Sequence, residues 1–431
     1  MRDGEIVRTS TGRTSTRAVF DRRTFLRGSV AEAGAFALGP SWLRRAAARS
    51  AAGREERVLV VLELRGGNDG LNTLVPIEDE RYFRARPELA LTKEDVLPLD
   101  SLNGLHPSLA HCREWFGEGS LAIVQQVGYP RPNLSHFASS DVWESATADE
   151  PRPAAGWLGQ WRDRAGEPWR EEPLAMLALG TGVLPYALRG SGVRAPAAWS
   201  LPHYRFQTAL GAGDEHARER RETLEALYRA PATAPELEHV QQVFELARRS
   251  SEELVRASER ATPEGYPPTK LGRDLCAVAN VIARELPVRV FHVAHCGFDT
   301  HIEQLEEHAK LLAQLDQALH AFLSDLRAQQ KLARTLVLTV SEFGRRAAES
   351  GLGSDAGTDH GAASCLLLAG GGVRGGVHGG QPDLAHLDET GNLVHAVDFR
   401  RVYATVLERW LGADSEGVLG ARFEPLEVLR S

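Results

Sequence analysis

The sequence predicts an α/β fold, a largely parallel central sheet covered by helices on both faces. Two observations predict it. Apolar runs of strand length recur along the chain, with helix-period segments between them. Several of those runs are apolar throughout rather than alternating, as strands covered on both faces are.

The elements follow in order. "RVLVVLELRGGNDG" (57–70) is a buried strand running into a glycine loop. "SLAIVQQVG" (120–128) is a second strand, and "NLSHFASSDVWESA" (133–146) opens a helix with Asn133 or Ser135 as its cap. "VRVFHVAHCGFD" (288–299), "TLVLTVSEFG" (335–344) and "SCLLLAGGG" (364–372) are three more strands. Helical patterns occupy 271–285, 304–330 and 398–411. Residues 151–270 differ, being rich in Pro, Ala, Arg and Glu, and read as a helical elaboration or cap. Within them, 235–261 is one long amphipathic helix with Leu237, Val240, Val243, Phe244 and Leu254 on or near one face.

Composition bounds the rest. The 431 residues are 42% hydrophobic and 25% charged, an ordinary globular balance. A net charge of −8 with no basic stripe argues against a nucleic-acid partner. None of the four cysteines forms a C-x-x-C pair, so zinc-finger and thioredoxin readings fail. The N-terminus carries Arg22-Arg23, then Thr24-Phe25-Leu26, a small-residue run and "AAA". This resembles a twin-arginine export signal, which places the protein in the periplasm or beyond, with the twin-arginine machinery as a partner. The run is too short and too polar for an integral membrane segment. The predicted organisation is a signal and linker over 1–53 and an α/β domain over 54–431.

In open parallel sheets, ligands bind beyond the carboxyl ends of the strands. After the first strand comes Asn68-Asp69, and after the second Ser135 and His136. His295, Asp299 and His301 follow the third, and Glu342 and Arg345 the fourth. Asp359 and His360 precede the fifth, and His378 follows it. So many carboxylates on one edge repel unless protonated or paired with cations. A divalent ion among these groups relieves that repulsion, and mixed His/Asp/Glu ligation suits zinc, manganese or magnesium. Ser135, at a helix N-terminus, suits an anion and a nucleophile, with His136 beside it. The Arg345 fork matches phosphate or sulfate oxygens.

The twin-arginine signal with "LRGGNDGLN", "NLSHF", "GFDTH", "SEFGR" and "GTDHG…GGGVRGG", in that order, resembles the exported bacterial domain-of-unknown-function 1501 family over essentially the whole chain. That family is similar to the alkaline phosphatase/sulfatase superfamily. The resemblance implies an alkaline-phosphatase-like three-layer sandwich and metal-dependent hydrolysis of small phosphate or sulfate esters. It implies metal-ligand roles for Asp69, Asp299, His301, Glu342 and His360, and a nucleophile at Ser135. The superfamily's Asp-His pair reads Glu342-Phe343 here, so one histidine is missing and Asp359 is the candidate to compensate. One metal or an altered pair is then expected, and a non-catalytic exported binding protein is the alternative. "GGGVRG" (370–375) matches a dinucleotide fingerprint but opens a turn-rich loop instead of a helix. No G-x-S-x-G elbow or Walker A motif is present.

Overall fold

The computed structural model describes residues 56–148, 153–166, 169–170, 172–191, 195–205, 214–231 and 234–430. The predicted export signal lies outside the described residues. Among those described, nine strands form one sheet. They are β1 (Val58–Arg65), β2 (Leu121–Gly128), β3 (Met176–Leu179), β4 (Ala197–Ala198) and β5 (Val290–Cys296). Then come β6 (Thr335–Val340), β7 (Ser364–Gly370), β8 (Gly376–His378) and β9 (Val397–Asp398). The order is β8-β2-β7-β6-β1-β5-β3-β4, with β9 also on β2. Every pairing is parallel except those of β7, which runs antiparallel to both β2 and β6.

The helices that frame the sheet are α1 (Ala110–Gly117), α2 (His136–Ser145), α3 (Trp157–Arg164) and α4 (Pro235–Ala257). They continue with α5 (Lys270–Ala283), α6 (Gln304–Ala328) and α7 (Phe399–Thr405), the last passing into a π-helical turn, Val406–Leu411. Strand β1 shows why its run is apolar throughout. Val58, Val60, Leu62 and Leu64 enter one core with Phe291, Val293, Leu275 of α5 and Phe322 of α6. Leu59 and Val61 enter the other with Val290, Trp143, Trp157 and Tyr403. Side chains alternate across a strand, so a sheet covered on both faces needs apolar residues at both parities. Aromatic stacking fastens the second face: Trp157 lies 4.1 Å from Tyr403 and Trp143 4.4 Å from Phe399.

The middle of the chain is more than a helical elaboration. Its short apolar run 174–180 supplies β3, and β4 follows, so the segment extends the sheet edge beyond β5. A four-residue strand inside a Pro- and Arg-rich stretch gives little pattern to read. The long helix is present as α4, but its face is divided. Leu254 is fully buried whereas Leu237 and Val240 are exposed, and Phe244 stacks on Tyr228 at 3.7 Å.

Two buried polar arrangements lie under the strand ends. Asp69 caps the single helical turn Gly70–Thr73 through Oδ1, which accepts from the Leu71 and Asn72 amides at 3.1 and 3.3 Å. Its Oδ2 pairs with Arg86 at 2.6 Å, and neither side chain is more than 1% exposed. Arg86 also donates to the Ala347 and Arg346 carbonyls. Removing one partner of a buried pair strands the other charge, so Asp69→Ala is expected to cost ~3–5 kcal/mol in denaturant unfolding. An unchanged midpoint would contradict this role.

His106 and His308 are buried with ring centroids 5.8 Å apart. Burial pushes His106 down to about 4 and His308 down to about 3. The unfolded chain therefore binds protons below the ordinary pKa of ~6.5 while the folded chain does not. Their contribution is whole above that pH and is lost as pH falls towards 3. The denaturant midpoint is expected to drop between about pH 7 and pH 5, and His308→Gln is expected to flatten that drop. A midpoint level across the window speaks against it.

Candidate metal centre

Strands β1, β2, β5 and β6 run the same way, so their carboxyl ends share one edge. Because β7 runs the other way, its start reaches that edge, which is why Asp359 and His360 stand just before it. The β1 loop is built from two left-handed glycines. A Cβ on Gly66 (φ +120°) would meet the Asp299 amide at 2.4 Å, and one on Gly67 (φ +88°) the Phe343 ring at 2.4 Å. The loops after β1, β5 and β6 therefore approach closer than any side-chain-bearing residue permits.

At that edge Asp299, His301 and His360 meet. His360 Nε2 lies 3.0 Å from Asp299 Oδ1, His301 Nε2 lies 3.1 Å from the same oxygen, and the two nitrogens are 3.1 Å apart. His136, the first residue of α2, faces Asp299 Oδ2 with Nε2 at 3.3 Å and Glu342 Oε1 with Nδ1 at 2.9 Å. One donor atom from each of His136, Asp299 and His360 falls within a 4.8 Å group. Glu342 is buried and also accepts from the Gly66 amide at 2.9 Å. Asp359 stands at the rim, 3.6 Å from His301 Nδ1 and 3.9 Å from Arg346.

The protons on these rings decide the electrostatics. His360 Nδ1 faces the Leu134 carbonyl at 2.8 Å. A carbonyl only accepts, so the proton sits on Nδ1 and a neutral ring turns its Nε2 lone pair towards the Asp299 carboxylate. That contact is repulsive until a second proton or a cation intervenes. The same reasoning applies to His136, whose Nδ1 donates to Glu342. Burial acts to raise the Asp299 pKa, but the Arg345 guanidinium and the imidazoles beside it outweigh burial and hold the carboxyl at about 2.

Two expected roles change. Asp69, expected as a ligand, has both oxygens committed to the helix cap and to Arg86 and Gln304. The chain turns away just after the glycine loop and carries that carboxylate into the core. Arg345, expected on a substrate anion, is 0% exposed. Its nitrogens donate to the carbonyls of Gly66, Gly67, Phe298 and Thr358 and to Asp299 Oδ1, the last at 2.7 Å. It organises the edge and does not face solvent.

Ser135 is exposed and caps α2 by position, yet its hydroxyl makes no cap bond. Its neighbours Leu134 and His136 both touch the cluster. Phe343 is buried against His360 and His136, with ring centroids 4.3 and 4.9 Å away. His295 bonds the Leu311 carbonyl, and His378 lies on β8 beside β2, so both sit outside the cluster.

A second group escapes sequence reasoning: buried Glu63 on β1, half-buried Glu144 on α2 and buried His292 on β5. Burial and the nearby Glu63 push the Glu144 carboxyl up to about 7. The available signal is a charged residue inside the otherwise apolar run "VLVVLELR". A pocket of about 560 Å³, bordered by Arg65, Glu144, Gly180, Trp199, His292 and Cys296, opens beyond the ends of β1, β3 and β5.

Comparison with known proteins gives a family and distant structural likenesses. The PsFucS1 sulfatase of a Pseudoalteromonas species is 11% identical, with a TM-score of 0.40 over 88% of this chain and 72% of that one. A protein in the alkaline phosphatase superfamily from Vibrio parahaemolyticus is 11% identical, with a TM-score of 0.31 over 75% of this chain and 62% of that one. The phosphonate monoester hydrolase of Silicibacter pomeroyi is 9% identical, with a TM-score of 0.33 over 86% of this chain and 78% of that one. No curated protein matches the sequence significantly. Residues 56–420 match the family described as protein of unknown function DUF1501, and the chain belongs to that family.

Proposed function

We propose that the protein is an exported, metal-dependent hydrolase of small phosphate or sulfate esters. One observation carries the reading: Asp299 Oδ1, His301 Nε2 and His360 Nε2 form a triangle with sides of 3.0, 3.1 and 3.1 Å. Adjacent ligands at ~2.1 Å from one divalent ion are separated by about 3 Å, so the three atoms suit a shared cation. Two imidazoles and a carboxylate suit zinc or manganese. The Leu134 carbonyl and Arg345 supply the outer hydrogen bonds that orient His360 and Asp299, as such partners do around metal ligands.

When bound, the ion would offset negative charge developing on the ester's oxygens. The chain's own residues do the rest. The uncommitted Ser135 hydroxyl stands at the positive end of α2 and is the nucleophile. Its oxygen bonds to phosphorus or sulfur as the ester oxygen leaves. His136, held between Glu342 and Asp299, takes the proton that the hydroxyl gives up. Glu342 keeps that imidazole oriented through Nδ1. Export through the segment 1–53 is part of the proposal.

A second reading, a non-catalytic exported binding protein, is favoured by Phe343, whose ring fills the position beside His136 where a further ligand is expected.

Chelator-treated protein assayed on aryl phosphates and aryl sulfates, with Zn, Mn, Mg or Ca restored in turn, separates the two. Turnover with at least one metal is expected, falling ~100-fold or more in Ser135→Ala and in Asp299→Asn. Metal-independent inertness towards every ester selects the binding protein. For export, Arg22→Lys with Arg23→Lys is expected to leave the chain in the cytoplasmic fraction, and an unaltered distribution rejects that part.

A further inference from the structure

Strands β1 and β5 each place one ionisable residue where the second core requires an apolar one. In β1 that face carries Leu59, Val61 and then Glu63; in β5 it carries Val290 and then His292. Glu144, near the end of α2, packs over the same place. Glu63 and His292 are 5% and 3% exposed. An isolated ionised group at such depth costs several kcal/mol unless it is matched.

The matching among the described residues is incomplete. Arg65, itself half-exposed, engages both Glu63 oxygens, Nε to Oε1 at 3.2 Å and Nη2 to Oε2 at 2.8 Å, one bond on each, so each oxygen keeps a lone pair, whereas those of Asp69 accept four bonds in all. Glu144 faces Glu63 and accepts from the Tyr186 and Ala187 amides, with no side-chain cation of its own in hydrogen-bond contact. His292 Nδ1 has no partner, and its Nε2 stands 3.7 Å from Glu63 Oε2, too long for a hydrogen bond. That spacing is near the roughly 3.4 Å that separates two ligands of a tetrahedral ion with ~2.1 Å bonds. A cavity of about 20 Å³, bounded by Glu63, Glu144, His292, Ser341 and Glu342, adjoins the three side chains. It has room for one small particle and is polar on one side. The 560 Å³ pocket, which Glu144 and His292 also border, gives a path from solvent.

We propose that Glu63, Glu144 and His292 bind a second divalent cation, separate from the one assigned to Asp299, His301 and His360. His136 and Glu144 belong to one helix, and their eight-residue separation spans about 12 Å of its axis. Two carboxylates and one imidazole suit manganese or zinc. The ion supplies the charge that Glu144 lacks. It also sets a cation on the border of a pocket already lined by Arg65, Arg189 and Lys270, which makes that pocket fit for an anionic ligand.

Manganese titration of chelator-treated full-length protein tests this, read as bound ions per chain by paramagnetic resonance and equilibrium dialysis. Asp299→Asn is expected to retain one tightly bound manganese. Glu63→Gln and, separately, Glu144→Gln in that background are expected to abolish it or weaken it at least ~100-fold, with the metal-free melting curve of the Glu144→Gln protein unchanged. Glu144→Gln is the gentler variant, being near-isosteric and free of the Arg65 pair. An Asp299→Asn protein that binds no manganese overturns the inference. So does binding that survives both glutamine variants, which would mark Glu144 as a protonated structural acid. Failure of the Asp299 site alone shows as one ion in the wild type with Asp299→Asn silent, and leaves the Glu63 readout intact.

Discussion

The strand-end loops meet because one buried guanidinium ties them together. Arg345 reaches from the end of β6 to the carbonyls of Gly66 and Gly67 after β1, of Phe298 after β5, and of Thr358 before β7. It also holds Asp299. The four loops are thereby set in one register, two of them, after β6 and before β7, also sharing a short antiparallel ladder of Gly344–Arg345 against His360–Gly361. Arginine suits the task because its charge is permanent and its planar fork addresses several acceptors at once. Lysine offers one point charge and would leave most of those carbonyls unpaired. Removal of a buried, fully engaged cation belongs to the costliest class of substitution, ~3–5 kcal/mol. The same charge favours ionised Asp299, so the residue that shapes the edge also prepares its central carboxylate.

This constraint makes sense of the direction of β7. If β7 ran with its neighbours, Asp359 and His360 would lie at the opposite edge, a strand's length from Asp299. Running against them, the strand delivers His360 to Asp299 and lets Thr358 receive Arg345. The glycine pair after β1 serves the same end by removing the side chains that would hold the β5 and β6 loops apart. The adjacent acid and histidine are therefore positioned by topology, not by the turn that contains them.

Much of this is legible in the sequence because strands buried on both faces leave uniform apolar runs. β1, β2, β5, β6 and β7 can all be read that way, with their polar flanks. The convergence of His136, Asp299, His301, Glu342 and His360 follows from assuming that those flanks share an edge. What the sequence hides depends on side-chain direction. Asn68 and Asp69 are neighbours in the same loop, and no pattern shows that Asp69 turns inward to Arg86. Arg345, two residues beyond Phe343, could equally have faced solvent; only the three-dimensional approach of four carbonyls decides it. β3 and β4 are too short to leave periodicity. Glu63 and His292 are concealed because a lone polar residue barely perturbs an apolar run.

The claim on which the rest stands is that Asp299, His301 and His360 surround a single cation. Crystals of the protein grown with manganese or zinc, measured at the metal's absorption edge, test it directly. The account predicts an anomalous peak ~2.0–2.3 Å from Asp299 Oδ1, His301 Nε2 and His360 Nε2. A map with no peak at that position, the three side chains remaining in place and bridged by protons or water, would contradict it.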